Sequence, residues 1–398
     1  MKKALYLILI LSLVLSGTAF VAATDLDDEE KIPEPFIGME FVGEEIRLSL
    51  DTAIDRMLRQ GAPIEQANLM LLADRARTTS HFEDLRNVMA LREMPAPTTV
   101  EEARLRPRTP SRTREQLANH AANFAQIQAD RNFEAAVNRI KRDAMAQYFS
   151  LAHAKENLRI SLDNVASQET LYRNTQSRFE VGVASRMEVL TAELALNQAR
   201  VEAERNEIAY YNARMMFNIA FGYDLMQNIV ITDALEEAPI SEISLEDAVR
   251  KALENRNEMY GAAFDVQHFE YLRRDLGGMV ARSSASYRTV VAGQRAAQAA
   301  YESVPKQIEM EIRSKYLDMR QRSAELELGR ANVVMAREAF RLAKLQYEVG
   351  MITLAETHAS LLSVYNAELF LNMTLLQYNL AIIDYELATT VGINRVQL

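Results

Sequence analysis

Phe179-Glu180-Val181-Gly182 and Tyr347-Glu348-Val349-Gly350 are the stretches on which the reading of this fold turns. They lie 168 residues apart, a whole number of sevens, and each closes one apolar heptad series and opens another. Counting back in sevens from Phe179 meets Tyr172, Val165, Leu158, Leu151, Ala144 and Val137. Counting back from Tyr347 meets Phe340, Val333, Leu326, Met319 and Ile312. Beyond the glycines the series resumes as Leu194, Val201, Ile208 and Met215 in the first copy and as Leu362, Leu369, Leu376 and Ile383 in the second. A strict seven-residue repeat sustained over this length predicts packed helices with a left-handed supercoil. The expected chain is all-α: two tandem repeats, each a long antiparallel coiled-coil hairpin that reverses at a glycine.

Outward from the tips, no proline or glycine interrupts residues 111–180, which predicts a rod roughly 100 Å long at 1.5 Å per residue. The matching rod of the second copy is expected from about Lys306 to Glu348, or from further upstream with a kink at Pro305. Ser49 and Ser244, each followed by acidic residues in the first helical turn, read as N-caps at the start of the two repeats. The returning arms should end near Gly222 and Gly392. The repeats then occupy residues 44–222 and 244–398, joined by a linker at 223–243 with one short strand around Ile229-Val230-Ile231-Thr232. The openings are 195 residues apart and the glycines only 168, so the first repeat holds an insertion. The stretch 94–114, with four prolines and five arginines, is where it falls, and it is expected as a loop.

Residues 1–23 read as a secretory signal: Lys2 and Lys3, an apolar run from Ala4 to Leu15, and a small-residue site ending at Ala23. Residues 24–43, acidic and carrying Pro33 and Pro35, read as an extended arm. The run is short for a bilayer-spanning helix, and the chain is expected to work in the cell envelope, in an outer-membrane or periplasm-like space. With no cysteine, stability must come from packing rather than disulfides, and 48% hydrophobic residues supply the material. A net charge of −10 argues against nucleic acid or an anionic membrane surface as the main partner. The five histidines stand apart, without an i, i+4 pair, and no nucleophile elbow, phosphate-cradling loop or metal-ligand cluster is present. An enzyme is not expected, nor a cofactor or metal.

The segment Arg178-Phe179-Glu180-Val181-Gly182-Val183-Ala184-Ser185-Arg186-Met187-Glu188-Val189-Leu190-Thr191-Ala192 resembles the tips of the TolC-type outer-membrane efflux family. Leu196-Asn197-Gln198-Ala199-Arg200 continues the likeness, and Tyr347 to Gly350 with Glu356 is a weaker second copy. The resemblance implies a homotrimer whose twelve helices close a tunnel, working with a periplasmic adaptor and an inner-membrane pump. It implies that Gly182, Val183, Gly350 and Met351 form the adaptor-docking tips. Glu188, Glu356 and Tyr347 would then stand where the family narrows its pore. A second acidic position is Thr191 in one repeat and Ala359 in the other, which departs from the family pattern. Read from the residues alone, the two glutamates also suit helix N-termini, and Tyr347 suits the apolar seam.

The family inserts two β-strands per repeat to cross the outer membrane, each needing about 9–11 residues of alternating pattern. Here the second repeat offers only the gap between Gly277 and Gly293, without alternation, and the first offers the proline- and arginine-rich stretch. The barrel is therefore expected to be absent or vestigial, which leaves insertion into a membrane unsupported. Two functions follow: a TolC-like conduit of a tripartite efflux or secretion system, or an envelope scaffold or spacer without a pore. An adaptor is a third and weaker reading, because no strand-rich segments bracket either hairpin.

Overall fold

The structure, a computed structural model, describes residues 37–397; the expected signal segment and most of the acidic arm lie outside them. Eleven elements follow in order among the described residues. Strand β1 (Val42–Leu48) leads into α1 (Leu50–Gln60), α2 (Ala62–Glu93), the short α3 (Val100–Leu105), the long α4 (Arg112–Glu180) and α5 (Arg186–Ala220). Strand β2 (Gln227–Ile231) precedes α6 (Leu245–Asn255), α7 (Asn257–Gly277), the long α8 (Ala285–Glu348) and α9 (Leu354–Ala388). Two hairpins, α4–α5 and α8–α9, are thus built on the same plan. Helix α2 lies along α4 as α7 lies along α8, and α4 also contacts α1, α7 and α9.

The helix starts have local causes. Ser49 and Ser244 each accept a hydrogen bond from a first-turn backbone N–H, that of Thr52 or Asp247, so one orphan donor of each helix is satisfied. Ser111 does the same for α4 through the Arg114 N–H. Alanines 118, 122, 125, 129 and 135 are all buried along α4, and such small side chains let neighbouring helices approach closely. Helix α5 ends next to Gly222, which has a positive φ of 70°; α9 instead ends at Ala388 with Thr389 as its cap, and Gly392, with a φ of 85°, follows three residues after the cap.

Three expectations need correction. Helix α8 takes the upstream of its two expected starts, at Ala285, and runs through Pro305, so the gap expected from Gly277 to Gly293 shrinks to residues 278–284. The expected loop 94–114 contains α3, capped by Thr99. The linker strand was anticipated but its partner was not: β1 pairs with β2 in parallel, with Ile46 opposite Ile229 and Leu48 opposite Ile231. Ile229, Ile231 and Leu48 are buried in the core at the root of the first hairpin, with Tyr148, Phe217 and Phe221. These two short strands are the only ones among the described residues, and they form no closed barrel.

The apolar seam also needs revision on the returning arms. Leu151, Leu158, Ile312, Met319, Leu326 and Val333 are buried as expected. Leu194, Val201 and Ile208 of α5 are not: they are 59%, 48% and 45% exposed. The buried face of α5 is Val189, Ala192, Leu196, Ala199 and Ala203, which also steps by sevens; α4 is the main neighbour of this helix, and Ala192 packs with Tyr347 of the second hairpin. Helix α5 carries two apolar stripes, and the one read from the sequence points away from its hairpin partner. In α9, Leu362 is likewise exposed while Leu361 and Tyr365 are buried.

Candidate functional site: the paired hairpin tips

Both tips are built by one backbone device. At the end of α4, the Gly182 N–H donates to Phe179 (2.9 Å) and the Val183 N–H to Arg178 (2.8 Å). At the end of α8, the Gly350 N–H donates to Tyr347 (3.0 Å) and the Met351 N–H to Gln346 (2.8 Å). The two glycines have φ of 78° and 79°, a left-handed conformation that a side chain disfavours. Each turn leads directly into a capping box. The Ser185 N–H donates to the Glu188 carboxylate at 2.6 Å, and the Glu188 N–H returns to the Ser185 hydroxyl. The Thr353 N–H and hydroxyl donate to Glu356 at 2.7 and 2.9 Å. The Thr353 backbone bond, reinforced by its hydroxyl, holds the Glu356 carboxyl below its ordinary range. Glu188 and Glu356 are thus the capping carboxylates of α5 and α9, the second of the two roles the sequence allowed them.

Apolar side chains crown these turns. Val183 and Met351 are 66% and 74% exposed, and Val181, Met187 and Val349 are also open to solvent. Tyr347 behaves differently: it is buried with Ala192 and Leu354, with Tyr172 and Ile352 packed alongside. Its hydroxyl lies 3.3 Å from Thr175 Oγ1 on α4. Arg178, also on α4, places its guanidinium 4.8 Å from the Tyr347 ring centroid. The same group donates to the Tyr347 and Glu348 carbonyls at 3.3 and 3.2 Å. The first hairpin therefore caps the C-terminus of the second one's ascending helix, where a cation offsets the helix dipole. Of the expected site residues, the structure brings Gly182, Val183, Gly350, Met351 and Tyr347 to one end of the protomer, with Glu188 and Glu356 one turn behind. Sequence reading missed Thr175 and Arg178; the only cue was that Arg178 faces Gln346 in the 168-residue alignment of the repeats.

Solved structures share this architecture. The CmeC outer membrane channel of Campylobacter jejuni superposes with a TM-score of 0.68 at 14% identity, over 87% of this chain and 87% of that one. VceC, an outer membrane protein of Vibrio cholerae, gives 0.65 at 12% identity, over 87% and 97%. A membrane protein from Pseudomonas aeruginosa gives 0.67 at 17% identity, over 86% and 90%. No protein-family profile matches the sequence, and no curated protein matches it. At these identities the likeness establishes the fold. The chain has the helical fold of the TolC-type outer-membrane channels, without barrel strands among the described residues.

Proposed function

We propose that three copies of this chain close a helical tunnel in the cell envelope, the passive conduit of a tripartite efflux or secretion system. The observation that carries this reading is the second apolar stripe of α5. Leu194, Val201 and Ile208 face solvent at seven-residue spacing along a helix whose other apolar face is already filled. A helix apolar on two sides needs two neighbours, and a closed ring of hairpins supplies the second. Exposed Leu317, Leu328, Leu342 and Leu345 on α8 extend the same demand to the other hairpin. The likeness to outer membrane channels points the same way, since those proteins are described as channels.

In this reading the exposed Val183 and Met351 are the surface on which a periplasmic adaptor docks, Gly182 and Gly350 give that surface its shape, and an inner-membrane pump supplies the energy. Glu188 and Glu356 narrow the tunnel where three copies converge, whereas Tyr347, buried between the hairpins, holds the tips together rather than lining the pore. Electron microscopy of the purified protein is expected to show rings of three. Monomers or open filaments would refute the tunnel. Replacing Leu194, Val201 and Ile208 together by lysine should dissolve the ring and leave helix content intact. Adaptor crosslinking should fall when Val183 and Met351 become aspartate, and unchanged crosslinking would remove docking from the proposal.

The lack of barrel strands among the described residues favours one alternative, an envelope spacer built of the same rods but conducting nothing. No described helix is long and apolar enough to cross a membrane. Reconstitution separates the two readings: a conduit raises bilayer conductance when adaptor and pump are present, and a spacer does not.

A further inference from the structure

About 100 Å of α4 separates the tips from the opposite end of the protomer, and that end has a chemistry of its own. Residues 94–114 hold five arginines against two glutamates, and residues 277–288 add Arg282 and Arg288 without an acid, in a chain whose net charge is −10. The Ser111 hydroxyl donates to Asp275 at 2.5 Å, which ties the two segments into one face. Along the shafts several arginines pair with carboxylates three or four residues away, as for Arg159, Arg173, Arg205, Arg313 and Arg341. At this end Arg114 pairs with Asp84 and Arg92 with Glu115, but other arginines are left without a carboxylate. Arg104, Arg108, Arg112, Arg282 and Arg288 make no ion pair among the described residues. The nearby Glu102 is no counterion for them, because it accepts from the Thr98 N–H and hydroxyl.

Apolar side chains stand among these cations. Leu105, between Arg104 and Arg106, is 82% exposed and Val100 is 74% exposed; Met94, Met279 and Val280 are also open. A soluble polyanion would need only the charge. Cations interleaved with exposed apolar groups suit a lipid interface, where arginine meets headgroup phosphate and the apolar groups enter the acyl boundary. We propose that this end of the protomer is a peripheral docking face for an anionic lipid surface. It holds the helical rods against a bilayer that no described helix is long and apolar enough to cross. The face lies at the far end from the tips, so the tunnel and this docking succeed or fail separately.

The test is sedimentation of the full chain with vesicles of phosphatidylcholine alone and of equal parts phosphatidylcholine and phosphatidylglycerol. Binding is expected to favour the anionic vesicles and to weaken with salt. Changing Arg104, Arg108 and Arg112 together to glutamate should lower that affinity by at least about 100-fold. Leu105→Asp should lower it by about tenfold. Wild type and variants share the same N-terminal segment, so the differences between them report this face alone. Circular dichroism of each variant, matching that of the wild type, excludes loss of fold as the cause. Three outcomes overturn the proposal: equal binding to both vesicle types, undiminished binding by the arginine variant, or binding to polyphosphate that Leu105→Asp leaves intact while no vesicle sediments the chain.

Discussion

The two hairpins share a backbone plan, and the residues that secure it have been exchanged between them. At the roots, the carbonyl just before each capping serine is held by a buried tyrosine hydroxyl. In the first repeat Tyr148 of α4 donates to Leu48 at 3.0 Å; in the second, Tyr385 of α9 donates to Ile243 at 3.1 Å. A shift of 168 residues takes Tyr148 to Tyr316 and Phe217 to Tyr385. Both aromatic pairs survive, with ring centroids 6.2 Å apart in one repeat and 5.8 Å in the other. The ring positions are shared while the hydroxyl that does the anchoring has moved from the ascending helix to the descending one. At the tips the asymmetry is larger: Phe179 is 39% exposed, whereas its counterpart Tyr347 is 5% exposed. Equal turns thus serve as unequal joints, and the joint between the hairpins passes through Tyr347.

The largest test of that inequality compares Tyr347→Ala with Phe179→Ala. The first empties a buried site and should cost about 3–5 kcal/mol in denaturant unfolding, whereas the second should cost less than about 1 kcal/mol. Similar losses at both positions would show the tips to be equivalent. Arg178→Gln writes the second repeat's residue into the first. It removes hydrogen bonds to two carbonyls and a ring contact, and about 2 kcal/mol is expected. The reciprocal Gln346→Arg should leave stability nearly unchanged. At the roots, Tyr148→Phe and Tyr385→Phe should each cost about 1 kcal/mol. Tyr316→Phe, at the position that lost its anchoring duty, should cost much less. A Tyr316→Phe loss as large as the other two would refute the exchange.

What the sequence disclosed follows from how local each cause is. The reversals at Gly182 and Gly350, the caps at Ser49 and Ser244, and the uninterrupted rod of α4 all depend on neighbours within a turn or two, and all were legible. The direction of the stripes was not. Leu194, Val201 and Ile208 repeat by sevens as faithfully as Leu196 and Ala203 do, and periodicity cannot say which stripe faces the partner within the hairpin. The inner stripe is largely alanine, less conspicuous than leucine and valine although it is the one that lets the helices close. Strand β1 escaped notice because only Ile46 and Leu48 of Val42–Leu48 turn inward, too short an alternation to read before β2 was placed beside it. Arg178 and Thr175 could not be assigned to Tyr347 because that joint spans two hairpins. No local pattern specifies it, and what the sequence offers is the mismatch of Arg178 with Gln346.

The smallest expected effect probes the seams where one hairpin meets the helices of the other, since each buries a histidine. Burial lowers the basicity of His268 on α7, and His120, His81 and Arg114 push it the same way. His81 and Asp84 of α2 and Arg114 of α4 line the cleft it faces, and His120 of α4 stacks on the Phe264 ring beside it. Burial also lowers His153 on α4, but Asn372 opposes that shift and Asn157 lies 3.1 Å from its Nε2. For both groups the unfolded chain takes up a proton near the ordinary value of 6.5, while the folded chain resists until lower pH. Their contribution is therefore intact above about pH 6.5 and is lost as the pH falls below it. The urea midpoint should decline from about pH 7 to about pH 5. His268→Gln should flatten that decline more than His153→Gln does, because only His268 sits in the field of other cations. Equal slopes for the two variants would mean that desolvation alone sets both histidines, and the α4–α7 seam would lose its distinction from the α4–α9 seam.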